Sequence, residues 1–170
     1  DTSWINQDDG TPKFTMDNVY QFPGLFAGVV INTSWAKLQP NQNGDLDVST
    51  IEDPLKQIKD YNIKYPNQPL AVKLRVWAGA NAPEWAKKLD GTPIKIYRNP
   101  GGKCTDAQDC PLTVGKFWDV NTKYVLAWRD FQTKLAKLYD KTPLIRQVAV
   151  TSVLSQTGLK SEIIVCTNLD

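Results

Sequence analysis

The chain contains no histidine among its 170 residues, and no other absence restricts it more. The gap removes the commonest general base, the Ser-His-Asp and Cys-His arrangements, and the commonest metal ligand. Chemistry here has to run on carboxylates, tyrosines, lysines or thiols. An excess of one charge is also missing, because 20 Lys and Arg against 18 Asp and Glu leave a net charge of only +2. That is too little to hold a polyphosphate backbone, so no nucleic-acid partner is expected. Long apolar runs are absent as well. Stretches such as Leu25 to Ile31 fall far short of the roughly 20 residues that cross a bilayer, and the chain opens on Asp1 without a charged and apolar leader. The expectation is a soluble protein with no membrane partner, from which any signal peptide has already been removed.

Cysteine is scarce, with three in all. Cys104 and Cys110 bracket the polar segment Thr-Asp-Ala-Gln-Asp, and a short loop of this kind can bring two Cβ atoms within bridging distance, so a local disulfide is expected. The alternative is a pair of free thiols in a cytosolic protein. A zinc site is not expected, since only Cys166 remains as a third thiolate, and no metal or other cofactor is assigned. A disulfide favours a secreted or periplasmic location.

What is present is the composition of a globular protein, 41% hydrophobic and 22% charged, at a length that suits one domain. There is no internal repeat. Strand-like and helix-like patterns alternate instead, with connections too long for a hairpin meander, which predicts βαβ units and a parallel sheet. Residues 1–24 are polar and turn-rich, with Asp8-Asp9-Gly10, Pro12 and Pro23, and read as an N-terminal arm ahead of a domain over 25–170.

Phe26 to Trp35 reads as a strand covered on both faces and turning polar at its end. Ile51, Leu55, Ile58 and Tyr61 follow at helical spacing, the helix starting either at a Ser49-Thr50-Ile51-Glu52 capping box or at Asp53 with Pro54 in its first turn. In Leu70 to Trp77, Leu70, Val72, Leu74 and Val76 share one face and Ala71, Lys73, Arg75 and Trp77 the other. A short helix enters through Pro83, a loop runs from Gly91 to Asp119, and a helix over about 121–140 carries Tyr124, Trp128, Phe131, Leu135 and Leu138 on one stripe. Ile145 to Val153 reads as a third strand.

In parallel α/β folds ligands lie outside the carboxyl ends of the strands. Here those ends supply Asn32, Ser34 and Trp35 with Gln39 just beyond, and then Arg75 and Trp77. Indole rings beside amides and a guanidinium suit a sugar, which offers apolar C–H faces and a rim of hydroxyls. The bland alternative is that Trp35, Trp77 and Trp85 pack the core. Most carboxylates read as structural: Glu52 as a cap, Glu84 in a first helical turn, Asp45, Asp47 and Asp90 in turns, Asp106 and Asp109 in the loop.

The segments Val29-Val30-Ile31-Asn32-Thr33-Ser34-Trp35-Ala36-Lys37-Leu38-Gln39-Pro40, Lys73-Leu74-Arg75-Val76-Trp77-Ala78-Gly79 and Ala82-Pro83-Glu84-Trp85 resemble the early barrel strands of clan-A, beta-galactosidase-like glycoside hydrolases. Gly115 to Trp118, Ala127 to Arg129 and Pro143 to Ile145 are similar to uncharacterised bacterial members of that group. The resemblance implies a (β/α)8 TIM barrel, of which this chain would be about the first half, three βα units. It also implies cleavage with retention by two carboxylates about 5 to 5.5 Å apart. Asn32, Trp35, Gln39, Arg75 and Trp77 would line the carbohydrate site. The family pattern would put the acid/base at about Gln156 to Leu159, where no carboxylate occurs, which leaves Glu162 as the candidate; the nucleophile would belong to a second half. The function expected is therefore that of a glycosidase-like protein acting on or binding oligo- or polysaccharide, this chain being an incomplete or inactive portion. The alternative is a non-catalytic carbohydrate-binding or structural protein, its sheet completed by a missing C-terminal half or by another chain.

Overall fold

The computed structural model describes residues 3–5, 16–96, 112–151 and 162–165. They form a mixed α/β fold. Three seven-residue parallel strands make the centre of the sheet: β2 (Gly28–Ser34), β3 (Ala71–Trp77) and β6 (Ile145–Thr151). The short β1 (Ser3–Ile5) lies parallel to β2 on one side, and β7 (Glu162–Val165) lies antiparallel to β6 on the other, giving the order β1-β2-β3-β6-β7. A separate antiparallel pair, β4 (Ile94–Ile96) and β5 (Leu112–Val114), sits in the long connection after β3.

The helices are α1 (Asp17–Gln21), α2 (Trp35–Leu38), α3 (Ser49–Lys64), α4 (Glu84–Lys87) and α5 (Lys123–Tyr139). The crossovers β2-α3-β3 and β3-α5-β6 step across the sheet in the same direction, so their common handedness puts both long helices on one face. Side-chain contacts agree. The Tyr139 hydroxyl donates to Glu52 Oε1 at 2.8 Å, joining α5 to α3, and Thr33 of β2 is hydrogen-bonded to Thr50 of α3 at 2.8 Å. Beneath the helices Val29 and Ile31 meet Val72 and Leu74 in register, and with Ile51, Leu55, Ile58, Phe131 and Leu135 they form the buried core.

The α3 stripe of Ile51, Leu55, Ile58 and Tyr61 is buried at 0 or 1% exposure, as its spacing predicts. The helix starts at the earlier of the two expected places, without the expected capping box. It begins at Ser49, with Asp47 Oδ1 accepting the Ser49 N–H at 3.1 Å, and Pro54 is buried within the helix. The Ser49 hydroxyl, together with that backbone N–H, holds the exposed Asp47 carboxyl below its ordinary range. Glu52 accordingly does not cap; the phenol of Tyr139 takes its carboxylate. At the other end, Asn62 bonds both backbone groups of Leu70, at 2.7 and 3.0 Å, which ties the end of α3 to the start of β3.

On α5, Tyr139 rather than Leu138 closes the buried stripe, because the step from Leu135 to the inner face is four residues and leaves Leu138 55% exposed. Asp90, read as a turn former, accepts from the N–H groups of Lys123 and Tyr124 at 3.0 and 2.9 Å, while Thr122 Oγ accepts from Val125. The first turn of α5 thus has three of its free donors satisfied.

Three further expectations change. The first residues do not stand apart as an arm, since Ser3 to Ile5 pair with Val30 to Asn32 and Val19 of α1 is fully buried. The connection after β3 is not all loop, since it contains the β4–β5 pair. The sheet is not wholly parallel either: ten residues separate Thr151 from Glu162, fewer than the dozen or so that a parallel crossover takes, so the chain returns antiparallel. Cys104, Cys110 and Cys166 lie outside the described residues, and so does the expected disulfide.

Candidate functional site

The face of the sheet opposite α3 and α5 holds the sequence-predicted residues that the fold brings together. Strand alternation sends Val30, Asn32 and Ser34 of β2 to that face, and register places them beside Lys73, Arg75 and Trp77 of β3. On β6 the same rows continue through Gln147, paired with Lys73, and Ala149, paired with Arg75. One extra residue, Arg146, is accommodated where the β3–β6 register shifts, and this keeps Gln147 and Ala149 in line with the polar positions of β3.

Three features give this face chemical character. Lys73, Arg75 and Trp77 are each half-buried, in alternation with fully buried apolar neighbours. The Arg75 guanidinium lies 5.8 Å from the centre of the Trp77 ring, a cation–π distance that fixes the plane of the indole. Asn32 is only 7% exposed, and its Oδ1 has no hydrogen-bond donor among the described residues. A buried acceptor without a partner costs about 1–3 kcal/mol, so it marks a place where a donor from elsewhere would be favourable.

Trp35 and Gln39 do not join them. Trp35 is not the end of a strand; it opens α2, with Ser34 Oγ capping that turn through Lys37 N–H at 3.2 Å, and α2 turns it to the helical side. There its ring is fully buried, with centroids of Trp85, Tyr124, Trp128 and Phe131 between 5.0 and 5.6 Å away. Its indole N–H donates to Gln39 Oε1 at 3.0 Å, the Gln39 amide donates to the Gln42 carbonyl at 3.3 Å, and the Gln39 carbonyl accepts from the Trp85 indole at 3.1 Å. Gln39 is 2% exposed. The expectation that these two side chains face a sugar is corrected: they satisfy each other inside the core.

Glu162 pairs in register with Thr151, one residue beyond Val150, which pairs with Val76. Its backbone therefore lies in the row of Ser34 and Trp77 at the carboxyl edge of the sheet, two strands and roughly 10 Å from Trp77. Residues 152–161, which include Gln156 to Leu159, lie outside the described residues.

Sequence reasoning missed the state of several titratable groups on the helical side, away from this face. Burial pushes the Tyr124 phenol up to about 12, with the Gly79 backbone opposing weakly, and burial with the adjacent Glu52 carboxylate raises Tyr139 further. Lys87 is 7% exposed and donates to Glu84 at 2.7 Å, which lowers the Glu84 carboxyl. The i, i+4 spacing of Trp35 and Gln39 was the one available sign that the pair bond internally. Among the described residues no three His, Cys, Asp or Glu side chains cluster to hold a metal ion, and no helix is long and apolar enough to cross a membrane.

Compared with protein-family models, with curated proteins and with solved structures, the chain matches none.

Proposed function

We propose that this sheet is part of a (β/α)8 barrel of the glycoside hydrolase kind, and that its face opposite α3 and α5 binds carbohydrate at the carboxyl ends of β2 and β3. The observation that carries the reading is the winding: the parallel strands follow sequence order without reversal, both long helices lie on one side, and Asn32, Arg75 and Trp77 stand side by side on the other. A doubly wound sheet would reverse its strand order and cover both faces. In a barrel that second face is the inner one, and its strand ends form the ligand mouth. Trp77 would stack on a pyranose face, with Arg75 fixing the ring plane and Asn32 accepting from a hydroxyl.

Retaining hydrolysis needs two carboxylates, and Glu162 is the acid/base candidate for one of them. A second reading, non-catalytic carbohydrate binding, or a structural role in which another chain or a C-terminal half completes the sheet, is favoured by one observation. On β2, β3 and β6 the described residues of this face, from Val30, Asn32 and Ser34 through Lys73, Arg75 and Trp77 to Gln147 and Ala149, include no carboxylate, which leaves Glu162 of β7 alone in a row where retaining hydrolysis needs two.

Calorimetric titration with β-linked gluco- and galacto-oligosaccharides tests the proposal. Binding is expected, and Trp77→Ala should weaken it at least tenfold, about 1.4 kcal/mol. Absence of binding to every oligosaccharide would overturn it. Release of an aryl alcohol from aryl glycosides separates the two readings: turnover supports the enzyme, binding without turnover the non-catalytic protein. The disulfide and the secreted or periplasmic location belong to the same reading, and thiol titration of the denatured, unreduced protein tests the first of them.

A further inference from the structure

On the helical side of the sheet, away from Trp77, a cleft of about 370 Å³ opens between the turn after α2, α4 and α5. Its walls are Gln42 and Asn43 on the turn, Trp85 on α4, and Ala127, Asp130 and Lys134 on α5. The volume falls within the range of small-molecule sites. We infer that this cleft binds a neutral saccharide of one or two rings, and that Trp85, Asn43 and Asp130 are its main contacts.

The chemistry of the walls selects that class. The Trp85 indole N–H is already donated to the Gln39 carbonyl, so the indole offers a ligand its ring and not its donor. The Ala127 methyl adds to the same small apolar patch, and polar atoms make up most of the exposed lining. Around it stand two carboxamides on exposed residues, each able to donate and accept, together with a carboxylate that accepts and an ammonium that donates. Mixed donors and acceptors around an aromatic ring match hydroxyls around a C–H face. Asp130 and Lys134 are paired at 2.9 Å, so the cleft presents no net charge and gives an anionic or cationic ligand no advantage. An apolar ligand would strip water from four polar side chains without replacing their hydrogen bonds.

The base of the cleft is rigid before any ligand arrives. Gln39 is held through Trp35 on one side and the Gln42 carbonyl on the other, and Trp85 packs edge-on against Trp35 with ring centroids 5.6 Å apart at 84°. A preformed wall lowers the ordering cost of binding. This site goes beyond the sheet-face reading and does not depend on it.

Methyl β-galactoside, lactose and cellobiose, titrated into the full chain and followed by the Trp85 indole N–H resonance, provide the test. A saturable shift at millimolar concentration is expected. Asn43→Ala and Asp130→Ala, both at exposed positions, should weaken it at least tenfold while leaving the unfolding midpoint unchanged. Trp77→Ala, in a protein that still unfolds cooperatively, should leave it intact. The inference is overturned if none of the three sugars moves the Trp85 resonance. It is equally overturned if the shift survives both Asn43→Ala and Asp130→Ala, or if Trp77→Ala abolishes it. The sheet-face proposal can fail by calorimetry of Trp77→Ala without affecting any of these outcomes.

Discussion

Trp35→Phe separates the structural role of this indole from the sugar-binding role that its place in the sequence suggests. The substitution keeps an aromatic ring that could still stack on a sugar, so an exposed Trp35 would tolerate it well. In the fold observed, two costs arise. Gln39 Oε1, on a side chain 2% exposed, loses the 3.0 Å indole donor and becomes a buried acceptor without a partner, at about 1–3 kcal/mol. The smaller ring also leaves a void among Trp85, Tyr124, Trp128 and Phe131; it lacks roughly three ring atoms, each worth about 0.8 kcal/mol of burial, for about 2 kcal/mol more. The expected loss of stability is about 3–5 kcal/mol.

Urea unfolding followed by circular dichroism measures that loss. A double-mutant cycle with Gln39→Leu isolates the hydrogen bond, because the leucine removes the stranded acceptor, and a coupling of about 1 kcal/mol or more is expected. At the sheet face, through Trp77, the folded fraction of Trp35→Phe should bind oligosaccharide as the parent chain does. A stability change below about 1 kcal/mol together with weakened sugar binding would refute the reasoning, since it would place Trp35 at a ligand surface and not in the core.

Gly115→Ala should destabilise the chain by at least about 1–3 kcal/mol, because a Cβ there would collide with Cδ2 of Tyr124, whose ring is wedged against Trp35; thermal unfolding measures the drop, and an unchanged midpoint would contradict this packing. Stability should also fall at high pH. The Tyr124 phenol rises from 10.0 to about 12 on folding, so the folded state favours the protonated form. Its contribution is complete below pH 10 and is lost as pH climbs from 10 towards 12, by about 3 kcal/mol over the two units. Tyr124→Phe should remove that part of the slope while changing stability little at pH 7, and chemical denaturation of both proteins at pH 7, 10 and 11.5 shows whether it does.

Periodicity made the framework legible in the sequence, and side-chain partners were mostly not. Alternation in Ala71 to Trp77 told which residues face the helices and which face away, because a pleated strand offers only two directions. The α3 stripe was equally plain, since Ile51, Leu55, Ile58 and Tyr61 repeat at the helical period. The errors sit where the period breaks. Trp35 follows seven strand residues, and nothing in the pattern says that Ser34 ends the strand by capping a four-residue helix. A single residue then changes side, and the tryptophan expected at the mouth enters the core. Asp90 and Glu52 were misjudged for a different reason: their partners, Lys123, Tyr124 and Tyr139, lie 33, 34 and 87 positions away. Only packing brings such groups together.

The same break in period explains why the two candidate ligand surfaces have opposite origins. The sheet face is polar because strand alternation carries Asn32, Arg75 and Trp77 to the side opposite α3 and α5, so its character is set by short-range spacing within β2 and β3. The cleft on the helical side exists because α2 turns Trp35 inward and Gln39 then fastens the following turn over it, leaving Gln42 and Asn43 opposite α5. Damage should therefore separate. Loosening the Trp35–Gln39 bond opens the cleft first, since its floor is that bond. The sheet face is held by the register of β2 against β3 and by Asn62 at the start of β3, none of which passes through Trp35.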